Sequence, residues 1–322
     1  MAYPSDVGRL AGGWFIALIA CGSSGMGDVD GGVDGDVDGG RSLGFVETLD
    51  ERDDFGVLGS IPAAVGAGEF TVELWLRPDD RFPFGPTGGG DQRTNWSSED
   101  EPIYDDGDWW FRGNFLIDGH NNRDFSRGTF SLQFYGSGRL RWLFGDRGSV
   151  PPGGVWAVQG DVTANAPNLV DGAWHHVALV RRFAGAAGAD LEMWIDGQLI
   201  DTETSDVRTD MNEFWSDWSE FPDGQPGWFF GAEKQAAIDV LAAYEDYKGL
   251  VSDFRALSLA RSPARLADYR AAVTGAEPGV ELFIPFAEGS GDRACDPFRA
   301  SLCIELEGVA ADAWTAEGPP TQ

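Results

Sequence analysis

The sequence is poor in residue types whose shortage excludes whole classes of function. Only three of its 322 residues are Cys and three are His, too few for a zinc ribbon or another Cys/His cluster. Lys and Arg number 23 against 53 Asp and Glu, so the formal net charge is −30 at pH 7. A chain this acidic repels nucleic acid, whereas divalent cations are compatible partners.

Long hydrophobic runs are scarce as well, and the one near the N-terminus is too short to span a bilayer. It covers residues 10–20 after Arg9, whereas a spanning helix needs about 20 apolar residues. Its length and flank are typical of a signal peptide. The residues Leu18-Ile19-Ala20-Cys21 resemble the lipobox of bacterial lipoproteins, which implies that residues 1–20 are removed and that Cys21 carries the lipid. A buried N-terminal strand with an incidental Cys is the alternative.

The next segment, residues 21–42, has almost nothing to bury. Its central part, GSSGMGDVDGGVDGDVDGG, contains no aromatic residue and is typical of a flexible, acidic tether. Calcium-binding turns are the alternative for the repeated Gly-Asp-Val-Asp pattern, but the EF-hand spacing and its closing Glu are missing. The sequence therefore predicts an exported protein that is lipid-anchored in the bacterial cell envelope, at the outer membrane.

From residue 43 onward, short alternating runs of apolar and polar residues are separated by Gly, Asp and Pro, the pattern of an all-β sandwich. Only one short helix is predicted, where Ser262 suits the N-cap and Pro263 the first helical position. The predicted strands are 70–77, 129–135, 139–144, 174–181, 191–195, 198–202, 228–231, 248–257 and 280–286.

Five segments, in this order, resemble successive strands of a laminin G-like domain of the concanavalin A-like jelly roll. They are LDERDDFGVL (49–58), FTVELWLRP (70–78), DGAWHHVALV (171–180), MWIDGQ (193–198) and YKGLVSDFR (247–255). The resemblance implies two stacked antiparallel sheets in one domain at residues 43–308, with an insertion at 81–128 and a tail at 309–322. It identifies a fold rather than a task, because one fold hosts many functions.

The segment DLEMWIDGQLID, residues 190–201, bears on whether the protein is an enzyme. Asp196-Gly197 predicts a two-residue type I′ turn, and counting the pairs outward from it puts Glu192 opposite Asp201, a like-charge pair. The glucanases of this fold resemble Glu-x-Asp-x-Glu or its bulged form, since a retaining mechanism needs two carboxyl groups about 5 to 5.5 Å apart. The row here is Asp-x-Glu-x-x-x-Asp, so no catalytic residue is predicted. A laminarinase-type glycosidase is the alternative.

Two long loops are the predicted ligand-binding region, because loops of this length are usually functional or mobile. The loops, 81–128 and 211–228, carry aromatic rings among acids and amides, a mixture that stacks on sugar faces and hydrogen-bonds hydroxyl groups. The candidate ligand-binding residues are Trp96, Tyr104, Trp109, Trp110, Trp215 and Trp218. The alternative is that these rings only hold the loops down.

Calcium is the ion that the resemblance implies, bound by carboxylate and carbonyl oxygens of loops. The segment GAEKQ, residues 231–235, looks like the pentraxin segment whose acids bind calcium, although only Glu233 keeps the acidic character. Asp118 and Asp124 in the insertion are further candidate ligands by composition alone. Solvated surface charge is the alternative.

The C-terminal region holds the remaining cysteines, Cys295 and Cys303, in CDPFRASLC. With Cys21 assigned to the lipid, these two can pair only with each other, and export permits the bond; two buried free thiols are the alternative. An isolated hairpin would be marginal on its own, so this region is expected to close the sandwich rather than begin a second repeat.

The sequence as a whole predicts a non-catalytic module that recognises an extracellular glycan or protein. The competing hypotheses are a glycosidase and a structural surface or adhesion component. Two carboxylates facing each other in a groove on one sheet would favour the enzyme. A filled sheet face without a groove would favour the structural role.

Overall fold

The computed structural model describes residues 41–45, 55–79, 114–119, 130–135, 138–145, 156–159, 167–186, 188–205, 208, 210–211, 227–232, 247–271, 275–309 and 313–320. These residues belong to one compact unit, Val37–Gln322. They form two antiparallel sheets and two short helices, so the predicted jelly-roll sandwich is confirmed with one helix more than expected. No helix among these residues is long and apolar enough to cross a membrane.

Sheet A has eight strands, most of them in predicted alternating runs. They are β1 (Ser42–Phe45), β3 (Phe70–Pro78), β8 (His175–Ala184), β9 (Gly188–Ile195), β10 (Gln198–Ser205), β12 (Gly249–Leu257), β13 (Val280–Ile284) and β16 (Trp314–Thr315). Their order is β10-β9-β8-β3-β12-β1-β16, and β13 also pairs with β12.

Sheet B also has eight strands, in the order β14-β15-β2-β11-β4-β5-β6-β7. They are β2 (Phe55–Leu58), β4 (Asn114–Asp118), β5 (Phe130–Tyr135), β6 (Arg139–Phe144), β7 (Trp156–Gln159), β11 (Trp228–Phe230), β14 (Arg293–Cys295) and β15 (Cys303–Glu307).

Strand β4 lies within residues 81–128, which the sequence predicts to be one insertion between strands. Phe115, Leu116 and Ile117 are all buried, and a bulge interrupts the pairing between Phe115 and Ile117. A strand that is buried on both faces shows no alternation of apolar and polar residues. The alternation that revealed strands such as β3 and β9 is therefore missing here, and the short strands β1, β7, β14, β15 and β16 were not predicted either.

The two helices are short and lie next to strands. Helix α1 (Ala63–Gly66) was not predicted, whereas α2 (Pro263–Ala267) was. At the start of α2 the Ser262 side chain accepts a hydrogen bond from the backbone N–H of Arg265, and a Pro occupies the first turn. This is the N-cap arrangement that the sequence predicts.

The core lies between the sheets and is rich in aromatic rings. Leu191, Met193 and Ile195 of β9 point into it, as their alternation predicts. From sheet B, Phe130 stacks on Trp228 with ring centroids 4.1 Å apart. Fully burying a large apolar side chain contributes about 1.5–3 kcal/mol to the free energy of unfolding, so the core holds the two sheets together.

The C-terminal region completes both sheets and does not begin a second repeat. Strand β13 pairs with β12 in sheet A, β15 pairs with β2 in sheet B, and β16 pairs with β1. Leu282, Ile284 and Ile304 from these strands are fully buried in the core. The expected closure of the sandwich is therefore what the structure shows.

Candidate functional site

The β9–β10 hairpin has the predicted turn but not the predicted register. Asp196 and Gly197 have φ angles of 48° and 76°, as a type I′ turn requires. The register shifts between Leu199 and Asp201, so that Glu192 lies opposite Thr202 instead of Asp201. The expected like-charge pair is therefore absent, because a β-bulge adds one residue on the β10 side.

Glu192 is held by cations and donors of its own sheet. Arg182 Nε lies 2.7 Å from its Oε1, and Arg182 Nη2 lies 3.2 Å from its Oε2. The Trp194 indole N–H donates to Oε2 at 2.8 Å. The hydrogen bond to Glu192 raises the pKa of Arg182. A carboxylate in such a two-pronged pair is oriented by the protein itself.

A second carboxylate, Glu73 on β3, lies in a buried ionic cluster that the sequence analysis missed. Its side chain is only 3% exposed, with Arg255 Nη1 at 3.2 Å and Arg261 Nε at 2.8 Å. Burial raises the pKa of Glu73, although both guanidinium groups oppose the shift. Arg261 also contacts Glu277 at 2.9 Å. Glu73 therefore connects β3 to β12 and to the segment that follows it.

Two neighbouring histidines are tied to the β9–β10 turn. His175 lies between two carboxylates, with Nδ1 2.7 Å from Asp196 and Nε2 3.1 Å from Asp171. Burial alone would lower the pKa of His175, but hydrogen bonds to both carboxylates outweigh it and raise the pKa. His176 is buried, and burial together with the charges of nearby arginines holds its pKa well below the usual value. His175 thus favours the charged form and His176 the neutral form.

The outer face of sheet B carries Asp118, the one predicted calcium ligand among the described residues. Asp118 lies opposite Ser131 on β5 and Phe229 on β11, and all three are buried. No group of three or more Asp, Glu, His or Cys side chains that could hold a metal occurs within the described ranges. The other two predicted ligands, Glu233 and Asp124, lie outside those ranges.

Polar side chains continue across the centre of this outer face. Arg141 donates to the Gln133 side-chain oxygen, and the Gln133 amide donates to Ser131 Oγ at 3.1 Å. All three residues are at most 2% exposed. The centre of the face is therefore a hydrogen-bonded layer and not an open groove at these residues.

The edge of the same face, at β14 and β15, is open. A depression of about 290 Å³ lies there, between the end of β2 and the β14–β15 loop. Its lining includes Gly59, Ser60, Arg293, Ser301, Cys303 and Glu305. Arg293 Nε donates to Glu305 at 2.7 Å, and both side chains are at least half exposed. This depression is an accessible candidate site in the described part of the chain.

The wall of the depression is a loop fixed at both ends. Cys295 and Cys303 form the predicted disulfide. Inside the loop, the buried Asp296 accepts hydrogen bonds from the backbone N–H groups of Phe298, Arg299 and Phe283 at 2.7–3.0 Å. The loop therefore keeps one shape without a ligand.

The residues predicted to bind ligand lie outside the described ranges, so their part in a site stays a prediction. They are Trp96, Tyr104, Trp109, Trp110, Trp215 and Trp218. The same holds for Cys21, the predicted lipid attachment site.

No protein-family model matches the chain, and no curated protein matches it. Among solved structures it is similar to a proposed carbohydrate-binding protein from Bacteroides ovatus ATCC 8483, at 14% identity and a TM-score of 0.51 over 88% of this chain. The chain spans 62% of that protein's length. At this identity the likeness shows the fold alone.

Two further solved structures have lower TM-scores. One is the native heptameric SAP-like pentraxin from Limulus polyphemus, at 13% identity and a TM-score of 0.40 over 85% of this chain and 97% of that one. The other is the binding domain of Paraclostridial Mosquitocidal Protein 1, at 13% identity and a TM-score of 0.38 over 72% of this chain and 47% of that one.

Proposed function

We propose that the protein is a non-catalytic binding module that recognises an extracellular glycan or protein. The observation that carries the proposal concerns the three carboxylates buried on described strands. Glu73 and Glu192 in sheet A are each paired with arginines of the same chain, and Asp118 lies apart from them in sheet B. A retaining glycosidase needs two carboxyl groups aimed at one sugar bond. Carboxylates that are paired with arginines are poorly suited to that task. A binding module needs no such catalytic pair of carboxyl groups.

Glycans are the first ligand class to test. The chain shares its fold with the proposed carbohydrate-binding protein of Bacteroides ovatus. The aromatic residues of the two long loops, among them Trp109, Trp110 and Trp215, would offer rings on which sugars stack. Glu233, Asp118 and Asp124 are the proposed calcium ligands, which would assist binding by ordering loops or by coordinating hydroxyl groups.

We also propose the domain organisation, export and anchoring that the sequence predicts. In it, a laminin G-like domain at residues 43–308 is exported behind a signal peptide at 1–20 and anchored to the outer membrane through lipid on Cys21. The tether at 21–42 has the acidic, Gly-rich composition of a flexible linker. Such a tether would hold the domain away from the bilayer while leaving it free to reorient.

The test is a glycan array probed with the full chain carrying Cys21→Ser, with and without a calcium chelator. We expect binding to at least one glycan, and loss of most of the signal in a Trp109→Ala/Trp110→Ala variant. Leu199→Ala, which shortens an exposed apolar side chain on β10, is the control and should bind normally. Thermal unfolding of each variant checks that it is folded. Unchanged binding by the double Trp variant would reject the loops as the ligand site.

A structural surface component is the second candidate, favoured by one observation. Asp118, Ser131, Gln133 and Arg141 on the outer face of sheet B are excluded from solvent, so the face has no open groove at these positions. A filled face suits a protein that serves as a scaffold. This role would be favoured if no glycan on the array binds and if the calcium chelator leaves the unfolding temperature of the protein unchanged.

A further inference from the structure

On the outer face of sheet B, one row of residues that pair directly across neighbouring strands runs from a buried position to an exposed one. From the buried Asp118, the row passes through Phe229 and Val57 to Glu305 and Arg293. Neighbouring strands are about 4.8 Å apart, so the row covers about 19 Å over its four steps. Its open end is the depression beside the Cys295–Cys303 loop.

We infer that this depression binds a single neutral sugar residue, an inference that rests on the proposed function of glycan recognition. Its volume of about 290 Å³ is at the lower end of the range for pockets that hold small ligands. The site lies at the rim of the sandwich, and its described lining residues come from outside the two aromatic loops that the sequence predicts to bind ligand.

Shape is the first support, because the pocket is built before a ligand arrives. The disulfide joins the two strands that flank the loop. Asp296 accepts from the backbone N–H groups of Phe298 and Arg299 inside the loop and from that of Phe283 on β13, which ties the loop to sheet A. The Cys295 backbone N–H also donates to Glu288 at 2.7 Å. Binding to a preformed loop avoids most of the ordering cost that a mobile loop would impose.

Charge is the second support. Arg293 and Glu305 both line the depression and neutralise each other, so the site offers donors and acceptors without net charge. The hydroxyl groups of Ser60 and Ser301 add groups that both donate and accept. Sugar hydroxyl groups also do both, whereas a phosphate or sulfate would have to compete with Glu305 for Arg293. One carboxylate is too few for a calcium site of six to eight oxygen ligands.

Two variants test the site without touching the core. A Cβ at Gly59 would meet nothing within 4 Å, so Gly59→Leu fills the depression while leaving the fold intact. Glu305→Gln removes the acceptor charge. The matched control is Glu317→Gln, which breaks an exposed Arg–Glu pair with Arg77 in sheet A. All are made in the full chain carrying Cys21→Ser.

The readout is binding to immobilised neutral oligosaccharides of glucose, galactose, mannose or N-acetylglucosamine, with sulfated and uronic-acid glycans in parallel. We expect Glu305→Gln to weaken neutral-glycan binding by about tenfold or more, the effect of losing one charged hydrogen bond. Gly59→Leu should weaken it by occupying the space that the sugar needs. Glu317→Gln should bind like the parent.

The outcomes separate this inference from the proposed function. If a neutral glycan binds and only the Trp109→Ala/Trp110→Ala variant loses it, the loops bind the ligand and the depression does not. Binding restricted to charged glycans would likewise overturn the neutral-sugar assignment. If the parent binds no glycan at all, glycan recognition fails and this site fails with it.

Discussion

At the scale of single residues, charges that are buried in pairs are sensitive to substitution. Glu73 is 3% exposed between Arg255 and Arg261, and both guanidinium groups are equally hidden. Removing one partner of a buried pair leaves the other charge without compensation, which costs about 3–5 kcal/mol. Breaking such a pair therefore lowers the free energy of unfolding by more than the intact pair contributes to it.

We predict that Glu73→Gln lowers the free energy of unfolding by about 3–5 kcal/mol, because it removes the buried carboxylate that Arg255 and Arg261 share and leaves each with one more distant or more exposed acid, Asp253 and Glu277. Urea titration followed by tryptophan fluorescence measures the change. Glu317→Gln makes the same chemical change at an exposed pair with Arg77 and should cost about 1 kcal/mol or less. Equal losses in the two variants would contradict the structural account.

The two histidines predict a stability maximum near neutral pH. The pKa of His175 is raised in the folded state, so its contribution is complete below the unfolded value of 6.5 and is lost as the pH rises above it. The pKa of His176 is lowered, so the unfolded chain alone takes up that proton and stability falls as the pH drops below 6.5.

The measurement is urea unfolding of the parent and two variants from pH 5.5 to 8. We expect His175→Gln to flatten the decline on the alkaline side, and His176→Gln to flatten the decline on the acidic side. The slope with pH is compared within each variant, so a general loss of stability does not obscure it. A parent profile without a maximum in this range would be inconsistent with the assigned directions.

At the scale of elements, the β9–β10 turn illustrates why a glycine is required. Gly197 has a φ of 76°, and a Cβ there would lie 2.8 Å from the Ala267 carbonyl oxygen and from Tyr269 Cδ1. The turn is therefore packed directly against the end of α2. Both the backbone conformation and the lack of space exclude a side chain.

We predict that Gly197→Ala lowers the free energy of unfolding by about 1–3 kcal/mol through strain and close contact. Gly59→Ala is the matched control, because its Cβ meets nothing within 4 Å; it should leave stability unchanged or raise it by up to about 1 kcal/mol. Urea unfolding of both variants provides the comparison. A neutral Gly197→Ala would show that the turn can move away from α2.

A strand could be predicted from the sequence when one of its faces carries polar residues. Strands such as β3 and β9 were recognised because their apolar residues alternate, and α2 because its cap is local. Strand β4 was missed because Phe115, Leu116 and Ile117 are all buried. The bulge after Leu199 was missed because the turn residues fix only the first two pairs of the hairpin.

The candidate site was harder to predict than the fold, because its residues are far apart in the sequence. Asp118 and Glu305 lie in one row across sheet B, although the chain that separates them passes through both sheets. Likewise, the cations that surround Glu73 are contributed from far along the chain, with Arg255 separated from it by 182 positions. Local patterns carry no trace of such neighbours.

At the scale of the whole molecule, the C-terminal strands are part of the core. We predict that a chain truncated after residue 278 fails to fold, because it loses Leu282, Ile284 and Ile304 from the core. Losing one large buried side chain costs about 2–5 kcal/mol, against a net stability of about 5–15 kcal/mol. Size-exclusion chromatography and circular dichroism would detect the loss. Removing only residues 321–322 is the control.

The adjacency of the first and last strands has a practical consequence. Ser42 lies opposite Thr315 and Leu43 opposite Trp314, so the polypeptide enters and leaves the sandwich at one border of sheet A. A fluorescent reporter joined to the C-terminus through a short linker would be delivered beside the point where the preceding segment emerges. The rim formed by β14 and β15 belongs to the other sheet, but Trp314 of β16 donates to Gly291 just before β14, so the linker must direct the reporter away from that rim if the fusion is to be used for imaging ligand capture.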